Sequence, residues 1–362
     1  MNRIIYMAAC AALLVSCDCE FDMTTIVDRD GSITRIISCP ADSAFMCGDT
    51  IGTDECPIAI TSDWELSWMK DGERRQWPIS VQEYGQLCRG SKPVVDISRR
   101  FESVSKMNSL FQFDALPMPV RPVAGLTKKV KLFHTEYTYT ETFPRYESFS
   151  VPVTDYMSMD DAILFFQGSP DMTSRSGSVL FDRLSELTDS VSRWFAANYL
   201  DEAVRCLAQN YGSIKDAPMS EVEFLAKRDA FIRYPVSDLE GSSLGRALDD
   251  FFGTDVYSNY IKGNTDDFDF QTQIMAFVTN LPFDYTVVMP GTVIPAPGLL
   301  TDGNTATFHM NAGMIYPADY TVTVSSRTQN VWAYALLFVV LAAAFIGIPM
   351  ASSGRRRSEK GC

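Results

Sequence analysis

Met23-Thr-Thr-Ile-Val27 and Ser32-Ile-Thr-Arg-Ile-Ile-Ser38 stand on either side of Asp28-Arg29-Asp30-Gly31. Two β-branched runs around an Asp-Gly turn predict a hairpin. A calcium loop from Asp28 and Asp30 is the rival reading. It lacks a third acidic ligand, the later Glu and the required Gly spacing. Further on, residues 39–63 read as irregular and Trp64-Glu-Leu-Ser-Trp-Met69 as another strand. Lys129–Thr142 alternates β formers, with Lys131–Thr140 as its clearest long strand. The centre then changes period. Leu180, Leu184, Leu187, Val191 and Trp194 recur at helical spacing and continue through Leu200, Ala203, Val204 and Leu207. Ser220-Glu-Val-Glu223 is a capping box opening a second helix that must stop before Pro235. Ser243–Phe252 predicts a third. Strands return at Phe283–Met289, Thr305–His309 and Tyr320–Ser325, between turns at Pro290-Gly291 and Asp302-Gly303 and a loop at Pro295–Pro297.

The expected fold class is α+β, a β-rich ectodomain with a central helical insertion and one C-terminal transmembrane helix. Its divisions are a signal peptide at 1–16, a β-rich region at 17–158 and a mainly helical insertion at 159–280. Strands at 281–330 return to the N-terminal region, 331–350 is the membrane helix, and 351–362 is a basic cytoplasmic tail.

Both ends of the chain point to a membrane. Arg3 followed by the mostly apolar run Ile4–Val15 has the form of a secretion signal, too short to span a bilayer. Leu14-Val15-Ser16-Cys17 resembles the lipobox of bacterial lipoproteins. That resemblance implies a diacylglyceryl group on the Cys17 thiol, cleavage before it, and a palmitate-type acyl chain on the new amino terminus. Near the other end, Val331–Met350 carries no charge, begins with Trp332 and Tyr334, and is followed by Arg355, Arg356, Arg357 and Lys360. A spanning helix with its tail in the cytoplasm is the expectation. Asp18 agrees with retention in the inner membrane and places the body in the periplasm.

The chain has 362 residues and a formal net charge of −14. Its acidity lies in the body: setting aside Arg3 and the charged residues after 350 leaves −18 on residues 17–330. Such a surface argues against nucleic acid and against an anionic lipid surface as the main partner. Six cysteines fall in the body, at 19, 39, 47, 56, 88 and 206. Cys39, Cys47, Cys56 and Cys88 cluster in a loop-rich region and are candidates for local disulfides, whose pairing the sequence leaves open. A zinc site is the alternative, but no Cys-x-x-Cys occurs among them.

Several patches resemble a group of Bacteroidetes membrane lipoproteins for which no activity is established. They are Asp30-Gly31-Ser32, Met289-Pro290-Gly291, Asp302-Gly303-Asn304-Thr305 and the run Tyr320–Ala333. More distantly, the layout is similar to LppM-like lipoproteins, which implies a β ectodomain with some link to lipid binding.

Catalytic signals are faint. His134 and His309 each lie in a strand-like stretch, without neighbours at metal-ligand spacing. The chain contains no Gly-x-Ser-x-Gly elbow and no phosphate-cradling glycine loop. Thr265-Asp-Asp-Phe-Asp269 reads as a solvated acidic loop. The expectation is therefore a non-enzyme with no catalytic residue, metal or cofactor: an inner-membrane lipoprotein whose periplasmic body binds or assembles a protein or envelope component. Lipid or hydrophobic-ligand binding ranks second, and an envelope-polymer hydrolase working through paired carboxylates third.

Overall fold

A computed structural model describes residues 21–50, 56–70, 73–87, 93–114, 119–147, 149–168, 177–235, 241–264 and 282–343. The hairpin forms as its sequence directs. Strands β1 (Asp22–Val27) and β2 (Ile33–Pro40) pair antiparallel from Asp22↔Ser38 to Val27↔Ile33. Gly31, at φ 95°, supplies the left-handed residue of the turn. The Asp30 carboxylate accepts from the Ser32 hydroxyl at 2.7 Å and the Ser32 amide at 3.0 Å. Those two bonds hold the Asp30 carboxyl below its ordinary pKa. Because side chains alternate along a strand, Met23, Thr25 and Val27 point inward from β1, and Ile33, Arg35, Ile37 and Cys39 from β2.

Around the hairpin grows a sheet that the sequence does not announce. Strands β3 (Glu65–Lys70), β4 (Glu73–Gln76) and β5 (Val94–Phe101) extend it on one side. On the other stand β8 (Pro282–Val288), β10 (Leu300–Asp302) and β11 (Thr305–Asn311), giving the order β10-β11-β8-β1-β2-β5-β3-β4. β8 lies parallel to β1, in register from Met23↔Tyr285 to Ile26↔Val288. A four-stranded sheet, β6-β7-β12-β9, packs face to face with it. Its strands are β6 (Val123–Val130), β7 (His134–Phe143), β9 (Thr292–Val293) and β12 (Tyr320–Gln329). Tyr137, Tyr139 and Phe143 of β7 share one core with Met23, Ile33, Ile97, Tyr285 and Val287 of the larger sheet. Each such side chain, taken fully out of water, contributes about 1.5–3 kcal/mol.

The expected strand stretch Lys129–Thr142 needs correction. The chain reverses at residues 131–133, where the Lys131 amide donates to the His134 carbonyl at 2.9 Å, so one apparent strand is the end of β6, a turn and the start of β7. The apolar pair Leu132-Phe133 carries the alternation through that turn and hides it.

Met289-Pro290-Gly291 is the bridge between layers, since β8 belongs to the larger sheet and β9 to the smaller. The Ser326 hydroxyl donates to the Pro290 carbonyl at 2.8 Å and pins the bridge to β12. Gly291 has φ +84°, and a Cβ there would strike the Arg327 carbonyl and the Thr328 methyl.

Helices fill the middle of the chain. α4 (Met159–Gln167) follows α1 (Ser43–Met46), α2 (Val81–Leu87) and α3 (Val104–Leu110), three short segments that decorate the sheets. α5 (Gly177–Gln209) is 33 residues long and serves two cores. Leu187, Val191, Trp194 and Ala197 belong to the core of the sandwich, whereas Leu200, Ala203, Val204 and Leu207 belong to a second core. That second core is completed by α6 (Glu221–Ala226), α7 (Arg228–Phe231), α8 (Gly241–Phe252) and α9 (Val256–Gly263). α6 opens with the expected capping box between Ser220 and Glu223. The second predicted helix is broken at Lys227 into α6 and α7.

The expected transmembrane helix Val331–Met350 is overturned. Among the described residues no helix is long and apolar enough to cross a membrane. The helical segment at 331–343 extends about 20 Å, against the roughly 30 Å of a hydrocarbon core. Residues 1–20 and 344–362 lie outside the described residues, and with them the signal peptide, Cys17 and the basic tail. The fold is α+β with a sheet-rich body.

Replacing Gly291 by Ala is expected to cost about 1–3 kcal/mol from backbone strain, with the clash added. Chemical denaturation of the two proteins measures it, and unchanged stability would show that the bridge relaxes freely.

Candidate functional site

Alternation turns two ionisable side chains toward the middle of the sandwich. Arg35 takes the inward phase of β2 between Ile33 and Ile37, and Glu141 the inward phase of β7 between Tyr139 and Phe143. Their side chains are 0% and 1% exposed, and Arg35 Nη2 donates to Glu141 Oε1 at 2.6 Å. The other carboxylate oxygen, Oε2, accepts from the Tyr139 hydroxyl at 2.9 Å and from the Tyr285 hydroxyl. Thr25 Oγ1 stands 2.9 Å from the Tyr285 hydroxyl. Five residues on four strands of both sheets thus meet at one carboxylate.

The rest of the guanidinium sits in soft, polarizable surroundings. Nη1 lies 2.9 Å from Met23 Sδ, Nη2 lies 3.5 Å from Met107 Sδ, and the charge stands 4.6 Å from the centre of the Phe111 ring. Burial alone would depress the Arg35 pKa. The Glu141 carboxylate, with Tyr285 and Tyr139, more than offsets this and the net displacement is upward. Burial, reinforced by the Glu141 charge, pushes both tyrosine hydroxyls above their ordinary range, so they remain protonated donors. This is a charged knot sealed from solvent, suited to holding two sheets in register rather than to receiving a substrate. Sequence reasoning missed it, although a signal exists: both charges occupy the apolar phase of an alternating strand.

The two histidines are not brought together. His309 Nδ1 contacts Asp284 Oδ1 at 2.6 Å on the outer face of the larger sheet, where the two residues are cross-strand neighbours. His134 belongs to the smaller sheet, with Nε2 3.1 Å from Glu136. Glu136 also receives Lys131 at 2.7 Å and Arg327 at 2.9 Å. Hydrogen bonds from Lys131 and Arg327, with His134 adding less, hold its carboxyl down at about 2. Each histidine has an acidic partner: Glu136 lies two residues along the strand from His134, whereas Asp284 reaches His309 from across the sheet, which sequence spacing does not display. Among the described residues no group of three or more His, Cys, Asp or Glu is placed to hold a metal ion.

Of the cysteines singled out for disulfides, Cys39, Cys47 and Cys56 form none in this structure; Cys39 and Cys56 are buried with their side chains in hydrogen-bonding reach. A hydrogen bond from the Cys39 side chain lowers the Cys56 pKa, against the opposing effect of burial, and Cys56 Sγ itself reaches the Ile58 carbonyl at 3.4 Å. Cys47 is half-buried after α1, while Cys17 and Cys88 lie outside the described residues. Thr265–Asp269 lies outside them as well.

Comparison with family models, characterised proteins and solved structures finds no match to this chain. The resemblance to Bacteroidetes lipoproteins draws no support from it.

Two outcomes follow from these contacts. Arg35→Met or Glu141→Leu alone is expected to cost about 3–5 kcal/mol, because each strands a buried charge or its partners. The double variant Arg35→Met/Glu141→Leu should be less damaging than either, and a denaturation cycle giving purely additive losses would show the pair to be uncoupled. In protein purified from an oxidising compartment with thiols blocked, Cys39 and Cys56 should be recovered as one disulfide-linked peptide pair. Closing that short loop is worth about 3 kcal/mol. Quantitative alkylation of both thiols would refute the pairing.

Proposed function

We propose that this chain is an envelope lipoprotein, anchored through an acylated Cys17 in the inner membrane, whose periplasmic body binds or assembles a protein partner. The observation that carries the reading is the second hydrophobic core. α5 runs from the sandwich into a helical lobe that is packed on its own residues, from Leu200 to Ile261. The sandwich does not need that lobe to close its sheets.

The lobe presents a mixed surface. On α6 and α7, Val222 and Leu225 are exposed beside exposed Glu221 and Asp229. Apolar anchors within a rim of mixed charge, with exposed Lys227 beside Glu221, Glu223 and Asp229, suit a protein partner with an apolar centre and a complementary polar rim. The acidity of the body as a whole disfavours nucleic acid. Anchorage adds to this, because confinement near a membrane raises the effective concentration of lateral partners.

Packing weakens the reading as a carrier of hydrophobic ligands. The space between α4, α5 and the sheets is occupied by rings of Phe149, Phe166, Trp194, Phe195 and Tyr316. Their centroids stand 4.6–6.2 Å apart for the contacting pairs. A ligand there would have to displace a packed aromatic cluster.

Two measurements test the proposal. Cells fed an alkyne-tagged palmitate analogue should label the wild-type protein and not Cys17→Ser. A photo-crosslinker at Val222 should trap one discrete species, lost on Leu225→Glu, whereas a crosslinker at Glu73 on the sheet edge should not. Unlabelled wild-type protein would remove the anchor, and a smear of abundant neighbours from Val222 would remove the binding role.

A further inference from the structure

We propose that the end of the sandwich formed by the β6–β7 turn and the helix at 331–343 is a membrane-contact platform, its apolar helix inserted among the acyl chains and its lysines at the headgroups of an anionic bilayer. The inference rests on the membrane location proposed above and adds the surface through which the body meets the lipid.

Turns are ordinarily polar, since they face water. Here Val130 and Leu132 are 67% and 58% exposed, and Phe133 is exposed beside them. The helix that follows β12 is stranger still. Every residue from Leu336 to Leu341 is a large apolar side chain left exposed, so no side of the helix is covered by the body. A helix apolar all round belongs in a protein core or in lipid, not in water.

Turn and helix form one surface. The Phe133 and Tyr334 rings meet at 5.4 Å. Asn330, between β12 and the helix, donates through Nδ2 to the Lys131 carbonyl at 2.7 Å and through its amide to the Phe133 carbonyl at 2.9 Å. Its Oδ1 accepts from the Thr135 hydroxyl at 2.9 Å. These bonds lock the start of the helix to the turn.

Charge selects the occupant. In a chain of net charge −14, the segment from Lys128 to Lys131 carries three lysines and no acid. Arg327 adds a fourth positive charge, Glu136 pairs with Lys131 and Arg327, and the two acids of the turn after β1, Asp28 and Asp30, are paired with Arg100. A positive collar around an apolar tip matches anionic headgroups above acyl chains. A second copy of so acidic a chain would bring net repulsion instead. Trp332, 57% exposed, and Tyr334 have the amphipathic rings that settle at the water–lipid boundary.

The platform is separable from the proposed acyl anchor. Lys128 Nζ reaches the Arg29 carbonyl at 3.0 Å, so the turn after β1 lies at the platform end. Phe21 is at the opposite end of β1, about 20 Å away.

The test uses the full chain carrying Cys17→Ser, which cannot be acylated there, and vesicles of phosphatidylglycerol and phosphatidylethanolamine. It should co-sediment with them, and Lys128→Gln/Lys129→Gln/Lys131→Gln should weaken that binding at least tenfold while leaving the thermal melt unchanged. With 5-fluorotryptophan incorporated, a headgroup-proximal spin-labelled lipid should broaden the ¹⁹F signal of Trp332 and spare the signals of Trp64, Trp68 and Trp194. Absence of vesicle binding, or equal broadening of all signals, would overturn the platform. So would concentration-dependent self-association abolished by Leu132→Glu, which would assign the surface to a second copy. Failure of palmitate labelling with vesicle binding intact would instead refute the lipoprotein reading alone.

Discussion

A guanidinium and a carboxylate buried between two sheets constrain everything around them. Removing Arg35 and Glu141 from water carries a large desolvation cost, and their attraction offsets it only when the geometry is good and the remaining lone pairs are satisfied. Tyr139 and Tyr285 supply that satisfaction at the carboxylate and Thr25 bonds the Tyr285 hydroxyl, while Arg35 Nε is left without a partner. Because a one-residue slip would turn either charge to the opposite face of its sheet, the contact admits one register on each side of the sandwich. It also ties distant chain segments together: Tyr285 arrives on a strand that enters the sheet only after the helical lobe is complete. An apolar replacement at the same place would pack without discriminating among registers.

Continuity between layers rests on two devices of different kinds. Gly291 lets the backbone pass from the larger sheet to the smaller at a point where any side chain would collide with β12. The helix α5 does the reverse, staying regular while its buried stripe passes from one core to another. Polar residues mark the crossing. Asn198 binds the Val151 amide at 2.9 Å, and Asp201 is held by Ser150 and Arg228. Such directional bonds set the angle at which a lobe leaves a body, which apolar packing alone does poorly. A lobe held in this way offers a stable surface to a partner.

The chain distributes its charge unevenly, and the distribution has a physical consequence. Acidic residues outnumber basic ones in the body, while the lysines at the β6–β7 turn surround exposed apolar residues. Near a negative surface such a molecule experiences a torque as well as a force, with the positive tip drawn inward and the acidic lobe pushed away. The orientation that results would leave the lobe accessible.

Local chemistry carried a good part of this architecture. The Asp-Gly hairpin, the helical stripe from Leu187 to Leu207 and the Ser220 capping box are written in adjacent residues, because turns, amphipathic period and caps depend on neighbours in the chain. The return of the strands after residue 281 to the N-terminal region was expected, but β5 and the parallel register of β8 on β1 were not, since a strand finds its partner through contacts that no short window contains. The reversal at residues 131–133 was concealed by apolar residues placed where a turn is usually polar. Hydropathy and its aromatic and basic flanks suggested a spanning helix at 331–350, yet among the described residues no helix is long and apolar enough to cross a membrane. The knot at Glu141 belongs wholly to the tertiary structure: charge and alternation were visible in each strand, but only the facing of two sheets makes an inward arginine and an inward glutamate into a pair.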